Sequence, residues 1–165
     1  MLDLACGTGR HARLLRDHGY SVVALDRDPV ALQALHGESG IEPLLADVEN
    51  AGWPFEPRSF NGILVTNYLH RPLFASLREA LAVDGVLIYE TFAVGNERHG
   101  KPSNPAFLLR RDELLEQCRP LETVAFEQGF VATPRPAVIQ RLCAVRGESP
   151  PDAMRLAALG PPPLG

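Results

Sequence analysis

Near its start the chain reads Asp3-Leu4-Ala5-Cys6-Gly7-Thr8-Gly9, a carboxylate followed by a loop with two glycines. Glycines there let the backbone turn tightly and approach a ligand with no β-carbon in the way. Gly7-Thr8-Gly9-Arg10-His11-Ala12 fits the G-x-G-x-x-A form of a dinucleotide fingerprint, and Asp26, nineteen positions after Gly7, stands where an acidic residue binds ribose hydroxyls. Asp3 argues for a different ligand. A carboxylate at the mouth of the first strand repels a pyrophosphate and attracts an ammonium or sulfonium group. An NAD-type ligand and a cationic one both fit the spacing, and the charge favours the second.

Such a loop works only between a strand and a helix that hold it. The apolar pattern alternates short β-branched runs with longer amphipathic segments, which predicts an α/β, Rossmann-like doubly wound fold. Leu2 to Leu4 reads as the first strand, and Thr8 to His18 as a helix with Ala12, Leu14 and Leu15 on its buried stripe and Gly19 as its cap. Ser21 to Leu25 is the second strand. Asp28 caps a helix with Pro29 at its first position and Val30, Leu32 and Leu35 on its apolar face, ended by Gly37. Ile41 to Ala46 and Asn61 to Thr66 follow as strands, then a helix from Pro72 to Leu81 and a fifth strand from Gly85 to Thr91. The polar, glycine-containing segment from Phe92 to Ser103 is long for a connection, and such loops at strand ends commonly cover a site. After a helix over Arg111 to Cys118, Glu122 to Phe130 and Ala137 to Val145 are strand-like stretches with only a turn between them, so they pair antiparallel. The expected sheet is seven-stranded and mostly parallel, with a final antiparallel strand.

Leu2-Asp3-Leu4-Ala5-Cys6-Gly7-Thr8-Gly9 resembles motif I of the class I S-adenosylmethionine-dependent methyltransferases, with Ala5 in place of the first glycine. The resemblance runs over nearly the whole chain and is nearest to the small bacterial, tellurite-resistance-like group. It implies S-adenosylmethionine as cofactor. On that reading Asp3 and the loop through Ala5, Cys6, Gly7 and Gly9 line the methionine moiety, and Asp26 accepts from both ribose hydroxyls, with Arg27 beside it. Asp47, in Ala46-Asp47-Val48-Glu49, accepts from the adenine amino group while Val48 packs on the ring, and Asn67 completes the cofactor set. An ordinary turn aspartate is the other reading of Asp47, and a helix cap is the preferred one for Asp28. Members of the family usually carry a helical segment before the first strand; the first strand starts at Leu2 here, so a shortened form is expected.

Ligands of open α/β sheets bind beyond the carboxyl ends of the strands, so Asn67-Tyr68-Leu69-His70-Arg71 and Glu90-Thr91-Phe92 are expected to face the transferred methyl group. His70 is the candidate base and Tyr68 the residue to orient or stack on an acceptor; a helix-start histidine and a packing tyrosine are their structural readings. Glu90 either meets a cationic acceptor or pairs with Arg71 or Arg98. Thr66-Asn67-Tyr68-Leu69-His70 lacks the prolines of the Asn-Pro-Pro-Tyr type motif of amino-group methyltransferases, which speaks against adenine or glutamine methylation. A small-molecule acceptor is the expected partner. A module that binds the cofactor without turnover and an NAD-dependent oxidoreductase are the competing readings.

Composition narrows the classes further. A chain of 165 residues, 45% of them hydrophobic, is long enough for one core, here residues 1–147, before a Pro- and Gly-rich stretch at 148–165 that is expected to be loose. A net charge of -4 with no run of Lys and Arg speaks against a nucleic-acid partner. Cys6, Cys118 and Cys143 have no metal-like spacing, and the histidines make no ligand pattern with carboxylates, so no metal is expected. The cysteine usage fits a cytoplasmic location, and neither a leader nor an apolar stretch of spanning length is visible.

Overall fold

A computed structural model describes residues 1–147; the stretch at 148–165 lies outside the described residues. The strands are β1 (Leu2–Leu4), β2 (Val22–Asp26), β3 (Ile41–Leu45), β4 (Phe60–Thr66), β5 (Leu81–Phe92), β6 (Glu122–Val131) and β7 (Ala137–Val145). They form one sheet in the order β3-β2-β1-β4-β5-β7-β6. β3 through β5 run parallel, while β7 is antiparallel to both β5 and β6. This is the doubly wound, Rossmann-like sheet expected from the sequence. The order reverses between β1 and β4, and that switch point leaves a crevice beyond the strand ends.

The helices are α1 (Arg10–Asp17), α2 (Pro29–Gln33), α3 (Leu73–Ala80) and α4 (Glu113–Gln117). On one face, Leu2, Leu4, Ile63, Val65 and Leu87 pack with Phe74, Leu77 and Ala80 of α3 and Leu114 of α4. On the other, Ala12, Leu32 and Leu35 pack against Val22, Ala24 and Ile41. Arg146 donates to the carbonyls of Arg78, Glu79 and Leu81 at 2.8–2.9 Å and so caps α3, whose last carbonyls have no partner within the helix.

Several local expectations need correction. Leu14 is 52% exposed and Val30 71% exposed, although both were expected on buried stripes. Each lies two residues, or about 200°, from a residue that does face the core, Ala12 and Leu32, so it points outward. α1 begins at Arg10 rather than Thr8 because Gly9 is left-handed, with φ of 81°. Its end fits the sequence: Gly19 donates to Arg16 O and Tyr20 to Leu15 O, the paired bonds of a Schellman cap. Asp28 accepts from Val30 N–H at 2.9 Å and caps α2 as expected. β5 starts at Leu81, four residues before Gly85, by pairing Leu81 with Phe60 ahead of a register shift whose extra residues lie in β5.

Candidate functional site

The loop after β1 owes its course to three left-handed residues, Ala5 (φ 55°), Gly7 (φ 54°) and Gly9 (φ 81°). Ala5 holds the position where the resemblance expects glycine, and its φ explains that preference, since a β-carbon there costs about 1–2 kcal/mol. At Gly9 a β-carbon would meet Leu35 Cδ2 at 2.3 Å, so this glycine lets the loop sit against the Leu35 side chain, just beyond α2. At Gly7 nothing lies within 4 Å of where a β-carbon would stand, which leaves bare backbone beside open space.

Asp26 ends β2 next to that loop. Its Oδ2 accepts from Gly7 N–H at 2.7 Å and its Oδ1 from Asp28 N–H at 2.9 Å. A carboxylate has about four acceptor positions, so two remain for a ligand. Asp47 instead forms a turn on itself: Oδ1 accepts from Glu49 N–H at 3.0 Å and Asn50 N–H at 3.3 Å, and Oδ2 from Asn50 Nδ2 at 2.8 Å. The Asn50 amide, with these backbone donors, holds its carboxyl below the usual range.

A cavity of about 220 Å³ opens between these strand ends. Leu4, Leu25, Ala46 and Val48 give it apolar walls, and Ala5, Asp26, Arg27, Asp47, Glu49 and Tyr68 complete the lining. A second cavity of about 250 Å³ adjoins it and shares Arg27, Glu49 and Tyr68. Asn67, Leu69, Thr91, Phe92, Pro102 and Phe107 form the rest of that wall. Glu49 ties the two together: Oε1 accepts from Tyr68 Oη at 3.1 Å and Oε2 stands 3.7 Å from Arg27. Burial first, and then the Glu49 charge, raise the Tyr68 phenol well above its ordinary range, so it stays a donor.

Of the residues singled out from the sequence, Ala5, Asp26, Arg27, Asp47, Val48 and Tyr68 meet around the first cavity, and Asn67 faces the second. Gly7 touches the group through its bond to Asp26, whereas Gly9 packs against Leu35. Cys6 is half-buried, and burial together with the Asp3 and Asp26 charges pushes its thiol up to about 12, which makes it a poor nucleophile. His70 lines neither cavity. Glu90 pairs with Arg141 at 2.9 Å rather than with Arg71 or Arg98.

Asp3 sits beneath the loop, 1% exposed, with neither carboxylate oxygen in a hydrogen bond of good geometry. Burial raises its carboxyl to about 6; the Ala12 backbone N–H and Arg10 lower it by less, and Asp26 adds to the rise. A buried acid whose burial is so little offset is a place that a cationic group would stabilise.

Sequence reasoning missed Glu49 and the second cavity's Phe107, while Pro102 falls within the Phe92 to Ser103 segment expected to cover a site. Glu49 stood within the Ala46 to Glu49 segment already marked, but its link to Tyr68 spans two strand ends and has no local signal. Among the described residues, no group of His, Cys, Asp and Glu is arranged to hold a metal ion, and no helix is long and apolar enough to cross a membrane.

Residues 1–85 match a family model described as a methyltransferase domain. No curated protein sequence matches the chain. Among solved structures, TehB from Haemophilus influenzae superposes with a TM-score of 0.73 at 17% identity, covering 88% of this chain and 57% of that one. An S-adenosylmethionine-dependent methyltransferase from Mesorhizobium loti gives 0.71 at 20% identity, over 88% of this chain and 90% of that one. Another from Methanosarcina mazei gives 0.68 at 16% identity, over 88% and 91%. At such identities the superpositions establish the shared fold.

Proposed function

The chain belongs to the methyltransferase domain family, and from that premise we propose that it binds S-adenosylmethionine in the cavity beyond β1, β2 and β3 and methylates a small molecule in the adjoining cavity. The observation that carries this reading is Asp26, an acid at the end of β2 with two acceptor positions left, beside bare Gly7 backbone and an apolar wall of Leu25 and Val48. A ribose diol, a nucleobase and an aminoacyl chain with cationic groups match that sequence of surfaces. When bound, the cofactor supplies an activated methyl group on a sulfonium centre.

The chain's own residues then bind and align. Asp26 holds the ribose, Val48 packs on the adenine, and Asp47 presents its carboxylate to the exocyclic amine. Asp3, under the loop, counters the positive end of the ligand through charge. Tyr68, which lines both cavities, and Asn67, which lines the second, orient the acceptor, so that alignment and exclusion of water provide most of the rate.

Asp26→Ala is expected to weaken binding of S-adenosylhomocysteine by about 1.5–3 kcal/mol, the range for hydrogen bonds to a charged group, as read by calorimetric titration. Unchanged affinity in a folded variant would remove Asp26 from the site. His70→Ala tests the histidine as base. Because His70 lines neither cavity, turnover is expected to change little, and a loss of about 10²-fold or more, the contribution of a general base, would return it to the chemistry.

A further inference from the structure

The geometry points to a neutral, flat aromatic acceptor carrying a hydroxyl group, held in the second cavity with Glu49 as the residue that takes its proton. This rests on the reading of the first cavity as the methyl donor's site. The second cavity has a volume of about 250 Å³, close to that of the first. Leu69, Phe92, Pro102 and Phe107, with the Tyr68 ring, give it an apolar and largely aromatic wall. Flat rings stack on such walls.

Charge sets the second half of the argument. Arg27 and Glu49 are the charged residues of this lining and stand 3.7 Å from each other, so their charges largely balance and the wall carries no net charge to draw in an ion. Moving a charged group into such a site without a partner is costly, whereas a neutral ring loses little. Asn67 and Thr91 supply uncharged polar groups for a hydroxyl. The walls are held in place from behind. Asn96, 2% exposed, donates to Pro102 O at 3.1 Å and accepts from Val138 N–H at 3.2 Å, while Arg71 donates to the carbonyls of Ala106 and Leu108, on either side of Phe107.

Glu49 is the carboxylate common to both cavities. In the step it serves, the acceptor's hydroxyl oxygen forms a bond to the methyl carbon. The carbon–sulfur bond of the sulfonium donor breaks with its electron pair going to sulfur, and the hydroxyl proton passes to Glu49. The products are a methyl ether, a neutral thioether and a protonated carboxyl, so charge and atoms balance.

The test uses three probes of one size, naphthol, naphthoate and naphthylmethylammonium, titrated into the full chain saturated with S-adenosylhomocysteine. Ether formation is followed separately by mass spectrometry with S-adenosylmethionine. Naphthol is expected to bind about tenfold or more tightly than either ion, and Phe107→Ala to weaken naphthol while leaving S-adenosylhomocysteine affinity in place. Glu49→Gln is expected to lower ether formation by about 10²-fold at saturating cofactor. Equal or tighter binding of an ion would overturn the neutral-acceptor class, and full ether formation in Glu49→Gln would overturn the proton's destination. Failure of S-adenosylhomocysteine to bind would instead sink the donor-site reading beneath both.

Discussion

Arg71→Ala is expected to lower the unfolding free energy by about 3–5 kcal/mol, the cost of leaving one partner of a buried ion pair unpaired. Glu113 is fully buried at the start of α4, where Arg71 grips it from Nε at 2.6 Å and from a second nitrogen at 3.1 Å. Burial alone would push the Glu113 carboxyl up; the Arg71 hydrogen bonds and the Arg110 backbone N–H outweigh it and hold the carboxyl below its usual range. Removing Arg71 leaves the burial with little to offset it. The guanidinium itself is 36% exposed, so solvent screens part of the interaction and the lower end of the range is expected.

The pH dependence sharpens this test. With its folded pKa depressed, Glu113 contributes stability that is present above its unfolded pKa near 4.5 and is lost as pH falls through the folded value. In Arg71→Ala the carboxyl is expected to move upward instead, so acidification should cost the variant less than it costs the parent. Denaturant melts of both from pH 7 down to about pH 3, through the window below the unfolded pKa, read the difference. A loss below about 1 kcal/mol, the size of an exposed pair, would show that the pair does not fasten the loop behind the second cavity.

Asp3→Asn is expected to act in the opposite direction on stability. A carboxyl raised from 3.8 to about 6 by the fold destabilises the ligand-free protein at pH 7 by about 3 kcal/mol, at 1.36 kcal/mol per unit. The contribution has a definite sign: it is favourable below the unfolded pKa of 3.8 and is lost as pH rises through about 6. The amide variant should therefore be more stable at neutral pH, by up to that amount, and should lack the decline between pH 4 and pH 6. It should also bind the cationic cofactor more weakly, since the countering charge is gone. An unchanged pH slope in Asp3→Asn would mean that another group carries it.

These two residues also show what was legible in the sequence. Asp26 could be placed at the end of β2 because a strand-end acid near a glycine loop has a fixed spacing, whereas Asp3 lies within β1, buried beneath the loop rather than at its mouth. The sheet was readable because period-two and period-3.6 patterns alternate. The caps at Asp28 and Gly19 follow from local chemistry, which single residues carry. Arg71 and Glu113 lie 42 positions apart, and nothing in either neighbourhood announces the pair. Leu14 and Val30 were placed by counting apolar residues, and short helices of eight and five residues give too few turns to fix the phase of a stripe. Asp47 accepts three hydrogen bonds within its own turn and also lines the cavity, so the turn reading holds and the adenine contact belongs to the proposed function.

The central claim is the cofactor, and calorimetric titration of the chain with S-adenosylmethionine, S-adenosylhomocysteine and NAD at pH 7 tests it before any acceptor is known. Binding of the first two in the micromolar range, with no heat from NAD, is the expected result. Binding of NAD with no response to either S-adenosyl compound would contradict the account.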